Sequence, residues 1–203
     1  MNISTQIKLG GVNNLSDARF AAAVGVSYIG FCFDPDSPTY IPPIKAKEIM
    51  DWITGSHLVA EFGNQSLKEI NDICELLKVD VIEVENRLLP DEIKSLGKPI
   101  IKKLDLSSFT PDSLHLEVNA YKDAVDGFHV YSSNNRSYDD LLPIIQLEAK
   151  LIWGLPISQS TTLNIIHQYK PFAINLVGGD EEKPGIKDFD ELNEIIEIVL
   201  PQF

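Results

Sequence analysis

Cysteine, histidine and positive charge are all scarce in this chain. Its two cysteines, Cys32 and Cys74, have no metal-ligand spacing and cannot make a disulfide framework, so each reads as a small core residue. With 17 Lys and Arg against 30 Asp and Glu, the net charge is -13, and no basic stripe exists to neutralise phosphates. That excludes nucleic acid and an anionic membrane as main partners. No apolar run reaches the ~18 residues of a membrane span, and the N-terminus enters structure directly, so the expectation is a cytoplasmic chain without a signal peptide. The acidic run Asp180-Glu-Glu182 has no accompanying histidine and reads as solvated loop. No metal and no cofactor is expected.

What is present is an ordinary globular composition, 44% hydrophobic and 23% charged over 203 residues, enough for one domain with a substantial core. The stretch Ile7-Lys-Leu-Gly-Gly-Val-Asn-Asn-Leu-Ser-Asp-Ala18 reads as a buried strand, a glycine turn and a helix that starts near Asn14 or Leu15. That unit recurs. Apolar strand-like runs are expected over 27–33, 57–63, 79–84, 98–104, 125–131, 149–154 and 172–176. Helices are expected between them, two of them with Pro43 or Pro111 in the first turn and Thr110 as a cap, and an amphipathic helix over 189–200 closes the chain. Eight strands alternating with eight helices predict an α/β fold, a single (βα)8 barrel spanning 1–203 with its chemistry on the face where the strands end.

Several of these pieces also resemble a known family. Lys8-Leu9-Gly10-Gly11-Val12-Asn13 is similar to the opening strand of phosphoribosylanthranilate isomerases, Lys-Ile-Cys-Gly-Ile-Thr. Gly30-Phe-Cys-Phe33 with Ser37-Pro-Thr-Tyr-Ile41 resembles their second strand and its loop, and Pro184-Gly-Ile-Lys-Asp188 their closing Pro-Gly-x-Lys-Asp. Weaker likenesses at 62–64, 81–85, 99–102 and 151–155 extend the resemblance over the whole chain.

The resemblance implies an Amadori rearrangement of an aminoaldose in tryptophan biosynthesis, which needs a general acid to open the sugar and a general base at C2. It also implies that the groups for it have changed. The base cysteine falls on Gly10, the acid aspartate on Tyr131, and the arginine that pairs with the anthranilate carboxylate on Thr39. A phenol with a reference pKa of ~10 is a poor acid for a sugar oxygen, and one hydroxyl cannot replace a bidentate charged partner. The phosphate cradle would come from Gly154, Gly178 and Gly179, with Trp153 beside it either stacking on a ligand or plugging the mouth.

Other residues are candidates to take over. Alternation puts Glu83 and Glu85 on one strand face, and Lys8, Lys102 or Lys103, and His129 are expected to line the same interior. A Glu base with His129 as acid is one reading, and a charge-satisfying ion-pair network is the other. Lys8, Thr39, Trp153 and Asn175 are the expected substrate contacts. The functional expectation is a divergent isomerase-like barrel with impaired or lost rearrangement and a retained or altered metabolite- or partner-binding role. The alternative is an active isomerase, or a related sugar-phosphate isomerase, with a rebuilt acid–base pair. The expected partner is a small phosphorylated metabolite, with the chain a monomer or homodimer.

Overall fold

Strand β1 (Gln6–Gly10) is an alternating segment in which Ile7 and Leu9 are fully buried against the helical layer while Lys8 and Gly10 face the other way. Helix α1 (Leu15–Ala23) follows because the Asn14 side chain accepts the Asp17 N–H at 2.9 Å, satisfying one of the donors that a helix start leaves open. The computed structural model describes residues 5–85, 87–134, 138–177, 181–183, 186–187 and 189–200.

The unit repeats as β2 (Tyr28–Cys32) and α2 (Pro43–Met50), then β3 (His57–Phe62) and α3 (Leu67–Leu76). Next come β4 (Val81–Val84), α4 (Pro90–Ser95), β5 (Ile100–Asp105) and α5 (Pro111–Tyr121). β6 (Gly127–Tyr131), α6 (Leu142–Glu148), β7 (Lys150–Trp153), α7 (Gln159–Tyr169), β8 (Ala173–Val177) and α8 (Asp190–Val199) complete it. Local chemistry sets several starts. Pro43 and Pro111 occupy first turns, where a missing N–H costs nothing, and Ser66 with Glu69 forms a reciprocal capping box on α3.

The eight strands pair in parallel in chain order, and β8 closes onto β1 through five aligned pairs from Gln6↔Ala173 to Gly10↔Val177. This is the expected (βα)8 barrel. Two departures stand out. Helix α6 begins at Leu142 rather than near Tyr138, with a proline at its start. A small antiparallel pair, β9 (Glu181–Lys183) and β10 (Ile186–Lys187), lies between β8 and α8, where the expectation was loop. Among the described residues no helix is long and apolar enough to cross a membrane.

Most apolar burial lies between the barrel and its helices, where Phe31, Ile82, Phe128, Val130 and Ile174 are fully covered. A second, smaller apolar cluster, Val59, Val81, Ile101, Ile152 and Ala173, fills the inside of the barrel at the end where strands begin. Above it, toward the end where strands finish, the inward positions become charged. That change of character positions the site.

Candidate functional site at the mouth of the barrel

Inward-facing residues of β1, β3, β4, β6 and β8 meet in one charged layer. Lys8, only 1% exposed, extends its ammonium into it, pairing with Glu61 Oε1, lying 3.2 Å from Glu83 Oε2 and donating to Asn175 Oδ1 at 2.9 Å. Glu83 in turn accepts from His129, whose Nδ1 sits 3.0 Å from Oε1. Burial by itself would raise the pKa of Glu83; the charge of His129 and then of Lys8 outweigh it and hold the carboxyl well below the usual range. The same logic raises Lys8, where Glu61 and Glu83 overcome desolvation.

The placement of Glu61 explains position 10. A Cβ there would lie 2.9 Å from Asn175 Oδ1, 3.0 Å from Glu61 Oε1 and 3.2 Å from Lys8 Nζ. A Cβ at Gly30 would overlap the Glu61 carboxylate outright. Two glycines on adjacent strands thus make room for one carboxylate, and its second oxygen accepts the Gly11 N–H at 3.0 Å. Gly11 itself stands at φ +64, in the left-handed region that glycine tolerates best.

A second group lies nearer solvent. Tyr131 donates its hydroxyl to Glu85, and Lys103 pairs with the same carboxylate at 2.9 Å while its ammonium sits 4.5 Å from the Tyr131 ring centre. Burial, and then the Glu85 contact, push the Tyr131 phenol far above its ordinary pKa of 10.0. Lys103 is also raised, because Glu83 and Glu85 outweigh its desolvation. Around these groups opens a cavity of about 410 Å³, rimmed by Asp34, Asp36, Ser37 and Thr39 from the loop after β2 and floored by Glu61, His129 and Gly154. The size suits a small metabolite.

The structure therefore brings together Glu83, Glu85, His129, Tyr131, Gly10, Thr39 and Asn175, all lining the cavity. Thr39 shares a hydrogen bond with Ser37 at 3.0 Å. Lys8 lies beneath the cavity, not on its wall, and acts on the carboxylates.

Three expectations need correcting. Trp153 is not at the mouth: alternation along β7 turns it outward, where it is 5% exposed and its ring packs 5.0 Å from that of Tyr169 on α7. It neither plugs the opening nor reaches a ligand there. Lys102 also faces out, with its ammonium 4.8 Å from the Tyr121 ring centre, so Lys103 is the inward lysine. Gly154 does line the cavity, but its N–H is committed to the Val130 carbonyl at 2.8 Å and cannot hold a phosphate. Gly178 and Gly179, the rest of the expected cradle, lie outside the described residues.

Sequence reasoning missed Glu61. Its signal was there: a lone acidic residue among the apolar positions of β3, on the parity of Val59 and paired in register with Glu83. Among the described residues no cluster of ligating side chains fit to hold a metal ion is found.

Comparison with known proteins places this geometry. No protein-family model matches the chain. N-(5'-phosphoribosyl)anthranilate isomerase of a Sulfurihydrogenibium species is 29% identical over 206 residues, 95% of this chain and 98% of the relative. The protein of that name from Syntrophus aciditrophicus is 26% identical over 200 residues, 96% of this chain and 87% of its own. Among solved structures, monomers of the dimeric phosphoribosylanthranilate isomerase of Thermotoga maritima superpose with a TM-score of 0.82 at 21% identity, over 98% of this chain and 100% of theirs. A phosphoribosylanthranilate isomerase in complex with reduced 1-(o-carboxyphenylamino)-1-deoxyribulose 5-phosphate gives 0.79 at 22% identity, over 95% of this chain and 97% of its own. Over nearly its full length the chain is thus similar to phosphoribosylanthranilate isomerases, and it shares the plan of their barrel.

Proposed function

We propose that this protein keeps the family's mouth as a binding site for a small polar metabolite and does not run the Amadori rearrangement through the family's own base and acid positions. The observation that carries this reading is position 10. Its side chain is absent, and the space is filled by a Glu61 carboxylate that already accepts from Lys8 and Gly11. The acid position supports it as well. Tyr131 holds its proton far more tightly than a free phenol and keeps it in a hydrogen bond donated to Glu85, so it is a poor acid for a sugar ring oxygen. Glu83, whose pKa is held well below the usual range by His129, Lys8 and Lys103 against the pull of burial, is no better as a base near neutrality.

The ligand of the related solved complex carries a phosphate and a carboxylate. In this chain the loop position for such a carboxylate is Thr39, a neutral hydroxyl. The test is turnover of phosphoribosylanthranilate generated in situ, followed by loss of its fluorescence. Folded protein should show none above background. Turnover that disappears in Glu61→Gln would make Glu61 a relocated base and overturn the proposal.

A further inference from the structure

The opposite end of the barrel holds a second cavity, at the face where the strands begin. A (βα)8 barrel ordinarily packs its interior with layers of bulky side chains. Here two positions on that wall carry almost no side chain, Gly127 on β6 and Ala173 on β8. A Cβ at Gly127 would lie 2.8 Å from the Lys150 carbonyl, which is backbone, so nothing bulkier fits there. The result is a well of about 370 Å³. Small-molecule sites run from ~300 to ~1,000 Å³.

Its lining sorts by chemistry. The floor, Val81, Ile101, Ile152 and Ala173, is buried and apolar. Beside it stand two half-buried rings, Tyr28 and Phe172, tilted at 56° with centres 6.4 Å apart. A third ring entering the well would meet both of them. Burial, and then the charge of Asp126, push the Tyr28 phenol up, so its hydroxyl stays a neutral donor.

At the rim both signs of charge are exposed. Lys150 lays its ammonium 4.6 Å from the centre of the Phe172 ring. Asp126 accepts the Ile100 N–H at 2.9 Å on one of its two oxygens. They stand at the starts of neighbouring strands, since Gly127 and Lys150 are aligned in register, and they do not pair with each other. Asp80 and His57, at the starts of β4 and β3, lie 4.0 Å apart. An apolar floor, aromatic walls, and a cation and a carboxylate close together on the rim complement one kind of molecule. It has a ring at one end and both charges at the other.

We propose that this lower well binds an aromatic α-amino acid, with its ring on the apolar floor, its ammonium toward Asp126 and its carboxylate toward Lys150. The site is separate from the mouth and does not depend on what the mouth binds.

The experiment titrates four matched probes calorimetrically into the full chain: phenylalanine, 2-phenylethylamine, 3-phenylpropionate and leucine. Methyl shifts of Val81, Ile101 and Ala173 report the well, and amide shifts of Gly11 and Thr39 report the mouth. Phenylalanine should bind about ten-fold more tightly than either analogue that lacks one charge. Leucine, with both charges and no ring, should bind about five-fold more weakly than phenylalanine. Lys150→Met, an exposed change, should bring phenylalanine down to the level of 2-phenylethylamine. Asp126→Asn, whose amide oxygen can still accept the Ile100 N–H, should bring it down to the level of 3-phenylpropionate. Leucine or a one-charge analogue binding as tightly as phenylalanine, shifts confined to the mouth, or no binding by folded protein would each overturn the proposal.

Discussion

The two ends of the barrel interior are built from the same strands and have opposite chemistry. At the end where strands begin, Val81, Ile101, Ile152 and Ala173 of the apolar cluster, which also holds Val59, line a cavity of about 370 Å³, with Tyr28, Phe172, Asp80, Asp126 and Lys150 also on its wall. Two residues further along the same strands stand Glu61, Glu83, Lys103 and Asn175, and His129 follows Gly127 in the same way. One inward step of a period-2 strand thus crosses from an ordinary packed barrel core to a buried charge layer. Lys8 spans the boundary, bordering the lower cavity while its ammonium lies among the carboxylates. The lower layer holds the barrel closed, and the upper one could be tolerated only because every buried charge in it has found an opposite.

The sharpest way to break this contrast is Lys8→Met. It leaves Glu61 and Glu83 without their shared buried cation and should lower stability by about 3–5 kcal/mol, read as a fall in the urea midpoint. A loss under about 1 kcal/mol would mean that the layer does not depend on Lys8. In the lower layer, Ile152→Ala should remove about 2–5 kcal/mol through an unfilled cavity. Its effect should stop there, with ligand titrations at the mouth unchanged.

Gly154→Ala probes the seam between layers. Its methyl would overlap the His129 ring and lie 2.8 Å from the Val130 carbonyl, which is backbone and cannot step aside. About 1–3 kcal/mol should be lost, together with a shifted His129 resonance.

Acid sensitivity should also belong to the upper layer. The Glu83 carboxyl has an ordinary value of 4.5 and a lower one when folded, so its contribution is complete above that pH and drains away as pH falls through the folded value. His129, Lys8 and Lys103 are the groups that lower it. In acid titrations monitored by circular dichroism, Glu83→Gln should give a flatter pH dependence than the parent. The smallest effect is expected for Lys103→Met, since its pair with Glu85 is about one-third open to solvent; a loss below about 1 kcal/mol should be found.

Much of the fold was legible in the chain because strand and helix periods are local. Asn14, Pro43, Thr110 and Pro111 mark helix starts by their own chemistry, and each sits where expected. The β9–β10 pair was not legible, since its strands of three and two residues carry almost no periodic signal. At the site, parity correctly put Glu83 and His129 inside. It applied equally to Trp153, whose place beside the expected phosphate cradle drew attention to the mouth although alternation along β7 turns this side chain outward.

What the sequence determined by itself was the alternation of eight strands and eight helices, the likeness to phosphoribosylanthranilate isomerases, and the absence of a side chain at position 10. Those follow from local period and residue identity. Only the tertiary structure decided that Glu61 fills the space beside Gly10 and Gly30, that Lys8 and Lys103 are already paired, and that His129 is left with an unpartnered nitrogen. These are relations between strands that lie tens of residues apart in sequence. Barrel closure and register bring them within a few ångströms, and nothing in the order of residues along one strand measures that distance.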